Sequence, residues 1–265
     1  MSQKDMGEKF EELVAIVRRL RAPGGCPWDR EQTSASLLPY FLEEVHEVIE
    51  SVDQAEWPTL QEELGDILLH VVFQGLISEE NGYFNLTDSL QGINEKLVRR
   101  HPHVFGDKKA DAPFYAKQNW EAEKHKEKKR NSRLDGVPVS LPGLVRAQRL
   151  QEKASYVGFD WEKVEQVWDK VHEEILELKE AQSKGIKEEL EEEIGDVLFA
   201  IVNLSRYFKI SAEDALRKTN TKFIRRFKYV EDELKRQGIP IEEASLVEMD
   251  AIWDAVKKEE KKQPL

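Results

Sequence analysis

Apolar residues recur every three or four positions along most of the chain, the period that places them on one face of an α-helix. Phe10, Leu13, Val14, Val17 and Leu20 keep this spacing until Pro23-Gly24-Gly25 stops it, and Gly25 to Asp29 reads as a loop. The pattern predicts helices over Leu38–Val52 and, with Pro58 near its start, Thr59–Ile77, ended by Asn81-Gly82-Tyr83. Thr87 is the expected cap of the next helix, which carries Lys96 and Arg100 and breaks at Pro102. Tyr115–Arg130 reads as a charged, weakly amphipathic helix, and Asn131–Pro142, with three prolines or glycines beside Asp135, reads as a linker. Beyond it the pattern predicts helices over Leu144–Tyr156, Val164–Ala181, Glu188–Tyr207, Ala212–Arg236 and Leu246–Lys261, with turns at Gly158 to Trp161 and Gln182 to Gly185. Strand signals are almost absent. The expected fold is all-α, with two tandem helical-bundle domains: residues 1–130, a linker at 131–142, and residues 143–265.

The polar positions repeat as well. Glu173, Glu174 and Glu177 share one helical face, and Glu193 and Asp196 share another 19 residues on, counted from Glu174 to Glu193. Glu43, Glu44 and Glu47 precede Glu62, Glu63 and Asp66 with the same 19-residue interval, and the two sets lie 130 residues apart. Apolar runs follow both Gly-Asp pairs, so these carboxylates open helices that otherwise read as buried. Asn94-Glu95-Lys96 with Arg99-Arg100 returns 126 residues later as Asn220-Thr221-Lys222 with Arg225-Arg226. An offset of this size is a duplicated domain rather than a solenoid.

Composition narrows the function. Charged residues are 35% of the 265, with 52 acidic against 40 basic and a net charge of -12, which argues against a nucleic-acid binder that neutralises backbone phosphates. The single cysteine, Cys26, excludes an intramolecular disulfide and suits a reducing compartment. A polar N-terminus and the lack of a long apolar run predict a cytoplasmic protein with no membrane partner. Cys26 is expected to pack in its loop, and Trp161 and Trp168 are expected in the core.

Facing helices would bring four or five carboxylates together, an arrangement costly to desolvate unless protons or a cation neutralise it. Oxygen donors without thiolate or imidazole favour Mg²⁺, with Mn²⁺ as a substitute, over Zn²⁺. Lys222 and Arg226, four apart on one helix, supply cations suited to a leaving pyrophosphate. There is no Walker-type glycine loop. Glu43-x-x-His46 imitates half of a di-iron carboxylate site, but Leu176 stands where the second repeat would need its histidine.

The ordered set of E-E-x-x-E, E-x-x-D and N-x-K with R-R, in duplicate, resembles the MazG family of all-α nucleoside triphosphate pyrophosphohydrolases. Cys26-Pro27-Trp28-Asp29, Arg99 to Phe105, Leu141-Pro142 with Arg146-Ala147-Gln148, and Val157 to Trp161 extend the resemblance over nearly the full length. It implies Mg²⁺-dependent hydrolysis of NTPs and dNTPs to monophosphate and pyrophosphate, a homodimer, and a housecleaning or stress-related role. By position, Glu174, Glu177, Glu193 and Asp196 match the family's metal ligands. Lys170, Val171, His172, Glu173 and Glu174, the run Glu189, Leu190, Glu191 and Glu192, and Lys222, Arg225, Arg226 and Trp253 match nucleotide-contacting positions. Glu173 or Glu177 is then the carboxylate that positions water. Where relatives can place a lysine ahead of E-x-x-D, this chain has Glu189.

In the first repeat Glu44, Glu47, Glu63 and Asp66 match the ligand set, and Lys96 and Arg100 the basic pair. Tyr40 stands where the second repeat has Lys170, His101-Pro102 cuts the helix after Arg100, and only the second repeat shows a tryptophan-bearing helix after its basic pair. These differences predict the second repeat as the main catalytic site and leave the first as a catalytic, regulatory or dimer-building element. A non-catalytic sensor of Mg-nucleotide or alarmone, acting through a partner, is the alternative function.

Overall fold

The computed structural model describes residues 3–106, 113–128 and 131–262. Among them are twelve helices and no strand: α1 (Gln3–Arg21), α2 (Pro27–Glu31), α3 (Leu38–Asp53), α4 (Trp57–Glu80), α5 (Leu86–Arg100), α6 (Pro102–Phe105), α7 (Pro113–Glu127), α8 (Gly143–Ser155), α9 (Val164–Lys184), α10 (Lys187–Tyr207), α11 (Ala212–Arg236) and α12 (Leu246–Lys262). The all-α expectation holds. The chain divides into two compact units between Trp120 and Glu121. No helix among the described residues is long and apolar enough to cross a membrane.

In unit 1, α3 lies along α4, and α1 and α5 also pack on α4. Val17, Leu37, Val72, Phe73, Leu76 and Ile77 form its core, with Phe10, Leu13, Val14, Leu69 and Leu86 packed around them. In unit 2, α9 lies along α10, α8 and α11 pack on α10 and on each other, and α12 packs on α11. Val167, Val171, Ala200 and Leu204 form the core between α9 and α10, flanked by Val164, Ile175 and Tyr207. Both central hairpins turn through a left-handed residue, Ala55 at φ 57° and Gly185 at φ 70°. Glycine takes that conformation freely, whereas alanine there carries a steric cost of about 1 kcal/mol. The same turn is therefore built with a less suitable residue in unit 1.

Several local expectations change. Gly25 to Asp29 is not all loop, because Pro27 starts the short α2. Asn85, not Thr87, caps α5: its side chain accepts from the Asp88 amide while Asp88 accepts from the Asn85 amide. A two-way capping box satisfies two otherwise orphaned amides, which a lone threonine does not. Gln182 to Lys184 complete α9 and leave only Gly185 and Ile186 to make the turn. Of the helix expected over Tyr115–Arg130, Arg130 lies outside the described residues.

The largest difference concerns burial. Trp161 and Trp168 are each more than 40% exposed, so neither belongs to the core. The helices after the Gly-Asp pairs are not buried all round either. Ile194, Leu198, Phe199 and Ile201 on α10 are exposed, as are Leu64, Leu68 and Val71 on α4. Apolar faces of this extent mark surfaces that associate.

Candidate metal centres and nucleotide site

The hairpins do what the spacing asks of them. On α9, Glu174 and Glu177 stand three apart; on α10, Glu193 faces them, and donor oxygens of these three residues lie within 4.8 Å of one another. Glu174 is 6% exposed, Glu177 is exposed and Glu193 is half-buried. Desolvation raises the pKa of Glu193, and the neighbouring Asp196 and Glu174 raise it further. Glu177 is raised by desolvation and then by Glu174. Glu193 Oε2 is buried and has no hydrogen-bond partner among the protein atoms. An orphaned carboxylate oxygen beside other carboxylates is the condition that a bound dication relieves, and an all-oxygen donor set suits a hard one. The residues present thus fit a metal.

One cation already touches the cluster. Lys170 Nζ lies 2.7 Å from Glu174 Oε1 and 2.8 Å from Glu173 Oε1, one helical turn before them. These two contacts hold its pKa above the usual lysine value. No ion pair joins Lys222 or Arg226 to the carboxylates among the described residues. Instead Arg226 donates to Glu260 on α12 at 2.6 and 2.9 Å, and Arg225 donates to the same carboxylate. The Arg226 guanidinium sits 5.6 Å from the Trp253 ring centre, and Trp253 packs on Phe223. Lys222 is exposed. Of the α9 run, Val171 belongs to the core and His172 is exposed beside Trp168. On α10, Glu189 pairs with Lys184 at 2.9 Å, Leu190 is half-buried, and Glu191 and Glu192 are exposed.

Unit 1 repeats the arrangement with Glu44, Glu63 and Asp66, again within 4.8 Å. Glu44 is pushed up to about 7, by desolvation first and then by Asp66, Glu47 and Glu63. Glu63 is raised by desolvation and by Glu47. Tyr40, at the position of Lys170, packs edge-on against Trp28, with 5.9 Å between ring centres. The contrast drawn at the basic pair does not hold. Arg100 is 4% exposed and lies 5.1 Å from the ring centre of Trp120 on α7, as Arg226 lies over Trp253. Lys96 is half-buried on the same helix. Trp120 was legible only as one of several aromatics in a charged helix, at an interval from Arg100 that differs from that between Arg226 and Trp253.

Beside α10 in unit 2 lies a cavity of about 420 Å³, lined by Phe159, Trp161, Phe199, Gln151, Asn203 and the Asp160–Arg206 ion pair, among others. Gln151 is 8% exposed; its Nε2 donates to the Phe199 carbonyl at 2.8 Å, and its Oε1 has no partner. Phe199, Asn203 and Arg206 follow Asp196 at helical spacing along one flank of α10.

A family model described as the MazG nucleotide pyrophosphohydrolase domain matches residues 32–105 and 162–231, which hold the two carboxylate hairpins. The chain belongs to the MazG family. It is 47% identical over 256 residues to the nucleoside triphosphate pyrophosphohydrolase/pyrophosphatase MazG of Thermotoga maritima, covering 96% of this chain and 98% of that one. It is 42% identical over 258 residues to the nucleoside triphosphate pyrophosphohydrolase of Escherichia coli K12, covering 95% and 98%. It also matches the uncharacterized protein YabN of Bacillus subtilis at 44% over 263 residues, which is 98% of this chain and 54% of YabN. The two MazG segments thus coincide with the repeat read from the carboxylates alone.

Proposed function

We propose that the chain is a nucleoside triphosphate pyrophosphohydrolase of housecleaning type, and that Glu174, Glu177, Glu193 and Asp196 of unit 2 are its principal metal ligands, with Mg²⁺ as the ion. The observation that carries the reading is the convergence of carboxylates from α9 and α10 around the unpartnered Glu193 Oε2. A bound Mg²⁺ would neutralise phosphate charge. Glu177 or Glu173 positions and deprotonates the water that attacks the α-phosphorus. The bond from that phosphorus to the bridging oxygen breaks, and pyrophosphate leaves with the electron pair. Lys170, already seated on the cluster, is placed to meet a phosphate, and Lys222 and Arg226 meet the leaving group. Trp253 supports Arg226 from beneath. With Mg²⁺, the products of NTP or dNTP hydrolysis are expected to be monophosphate and pyrophosphate. Diphosphate and inorganic phosphate in their place would refute the reading.

The cavity lined by Phe159 and Trp161 is where we place the base. Its start lies one to two helical turns beyond Asp196, a rise of roughly 5–10 Å that a ribose and phosphates can span. Aromatic walls and the free Gln151 oxygen offer stacking and a hydrogen-bond acceptor. Phe159→Ala is expected to raise KM by about tenfold, the worth of one lost base stack, while kcat holds. An unchanged KM for every nucleotide would place the base elsewhere.

The exposed apolar faces of α4 and α10 support a homodimer. Sedimentation should give twice the chain mass of 30.8 kDa; a 30.8 kDa particle at micromolar concentration would contradict it.

A further inference from the structure

We propose that the unit 1 centre is a mixed oxygen and nitrogen site, in which His70 joins Glu44, Glu63 and Asp66. Such a site takes a borderline first-row transition dication in preference to Mg²⁺. Glu63, Asp66 and His70 are spaced three and four apart on α4, so one helical face presents all three to Glu44 on α3. The imidazole is 7% exposed. Its Nε2 lies 4.0 Å from Glu44 Oε1, and its Nδ1 is buried without a partner. Phe41 packs on the ring, 5.6 Å between centres, and limits its rotation.

A separation of 4.0 Å is too long for a hydrogen bond. It does suit two atoms bound to one ion. Bonds of about 2.1 Å each put the donors about 3 Å apart at a right angle and about 4.2 Å apart in line. A buried imidazole without hydrogen bonds is costly, and a metal at Nε2 relieves that cost. The internal repeat supplies the control. The position 130 residues after His70 is Ala200, which lies in the apolar core of unit 2. The two units therefore share their carboxylates and differ in one donor. Adding imidazole to a carboxylate set raises affinity for Mn²⁺, Co²⁺ and Zn²⁺ far more than for Mg²⁺.

The inference rests on reading the clusters as metal sites and not on the pyrophosphohydrolase activity. Its test uses the full-length Glu193→Gln/Asp196→Asn chain, in which unit 2 has lost two ligands. Mn²⁺ bound to that chain is expected to show nitrogen coupling in pulsed electron paramagnetic resonance. Co²⁺ is expected to bind once per chain and to be displaced poorly by Mg²⁺. Adding His70→Gln should remove the nitrogen coupling and weaken Co²⁺ at least about tenfold, with Mg²⁺ affinity held within about twofold. The exposed His46 on α3 is checked by His46→Gln, which should change nothing. Mn²⁺ without nitrogen coupling would overturn the proposal without any variant at position 70. So would coupling that survives His70→Gln, equal losses of Co²⁺ and Mg²⁺, or no metal bound. Pyrophosphate release by the unaltered chain is measured separately, so failure of one reading does not imply failure of the other.

Discussion

Glu193→Gln or Asp196→Asn is expected to reduce pyrophosphate release on the order of 10²–10³-fold or more, the scale of removing one preorganised electrostatic group from a reacting centre. Glu193 faces Glu174 and Glu177 across the hairpin, so losing its charge removes a ligand and opens the cluster to solvent. The helical circular dichroism should not change, because α9 and α10 are joined by Val167, Val171, Ala200 and Leu204 and not by the carboxylates. In chelator, the Glu193→Gln protein should melt at the same temperature as the parent or higher. The substitution removes one of several mutually repelling groups and a buried oxygen that has no partner. Lost activity accompanied by a lower melting temperature would mean that Glu193 is a structural residue. Retained activity would mean that unit 2 does not turn over substrate.

The second large effect is in pH. Glu44 holds its proton up to about 7 in the folded protein, above the 4.5 of an unperturbed glutamate. Between those values the native state binds more protons than the unfolded chain, so stability falls as pH rises through this window and levels off above it. Chelated protein is therefore expected to melt at progressively lower temperature from pH 5 to pH 7.5, through the unit 1 transition. Saturating divalent cation should reverse the trend, since the ion binds the deprotonated cluster and not the protonated one. Glu44→Gln should flatten the dependence in chelator and abolish the response to metal. Calorimetry across pH with and without Mg²⁺ measures both. A chelated protein whose stability rises over the same interval would show that the unit 1 carboxylates are not desolvated together.

Helix positions were legible because their signals are local. Pro58 near a helix start, Gly185 after a helix end and apolar residues at a period near 3.6 act within a turn or two. Carboxylate convergence was legible for a related reason: equal intervals around short turns leave an antiparallel hairpin few registers. Thr87 and the Gln182 to Lys184 turn were misread where two nearby residues competed for one role.

The sequence by itself thus determined twelve-helix logic in outline, the duplication, the two carboxylate hairpins and the family. The tertiary structure decided what those hairpins are surrounded by. Only packing brings the His70 ring to Glu44, lays Trp120 under Arg100, ties Arg226 to Glu260 and builds a cavity from Phe159 and Phe199. Packing also leaves Leu198 and Ile201 on the surface although their run reads as buried. The physical reason is range: periodicity states that a residue is apolar or charged and which face it shares, while its neighbour across the bundle depends on how whole helices dock, a property of many side chains at once.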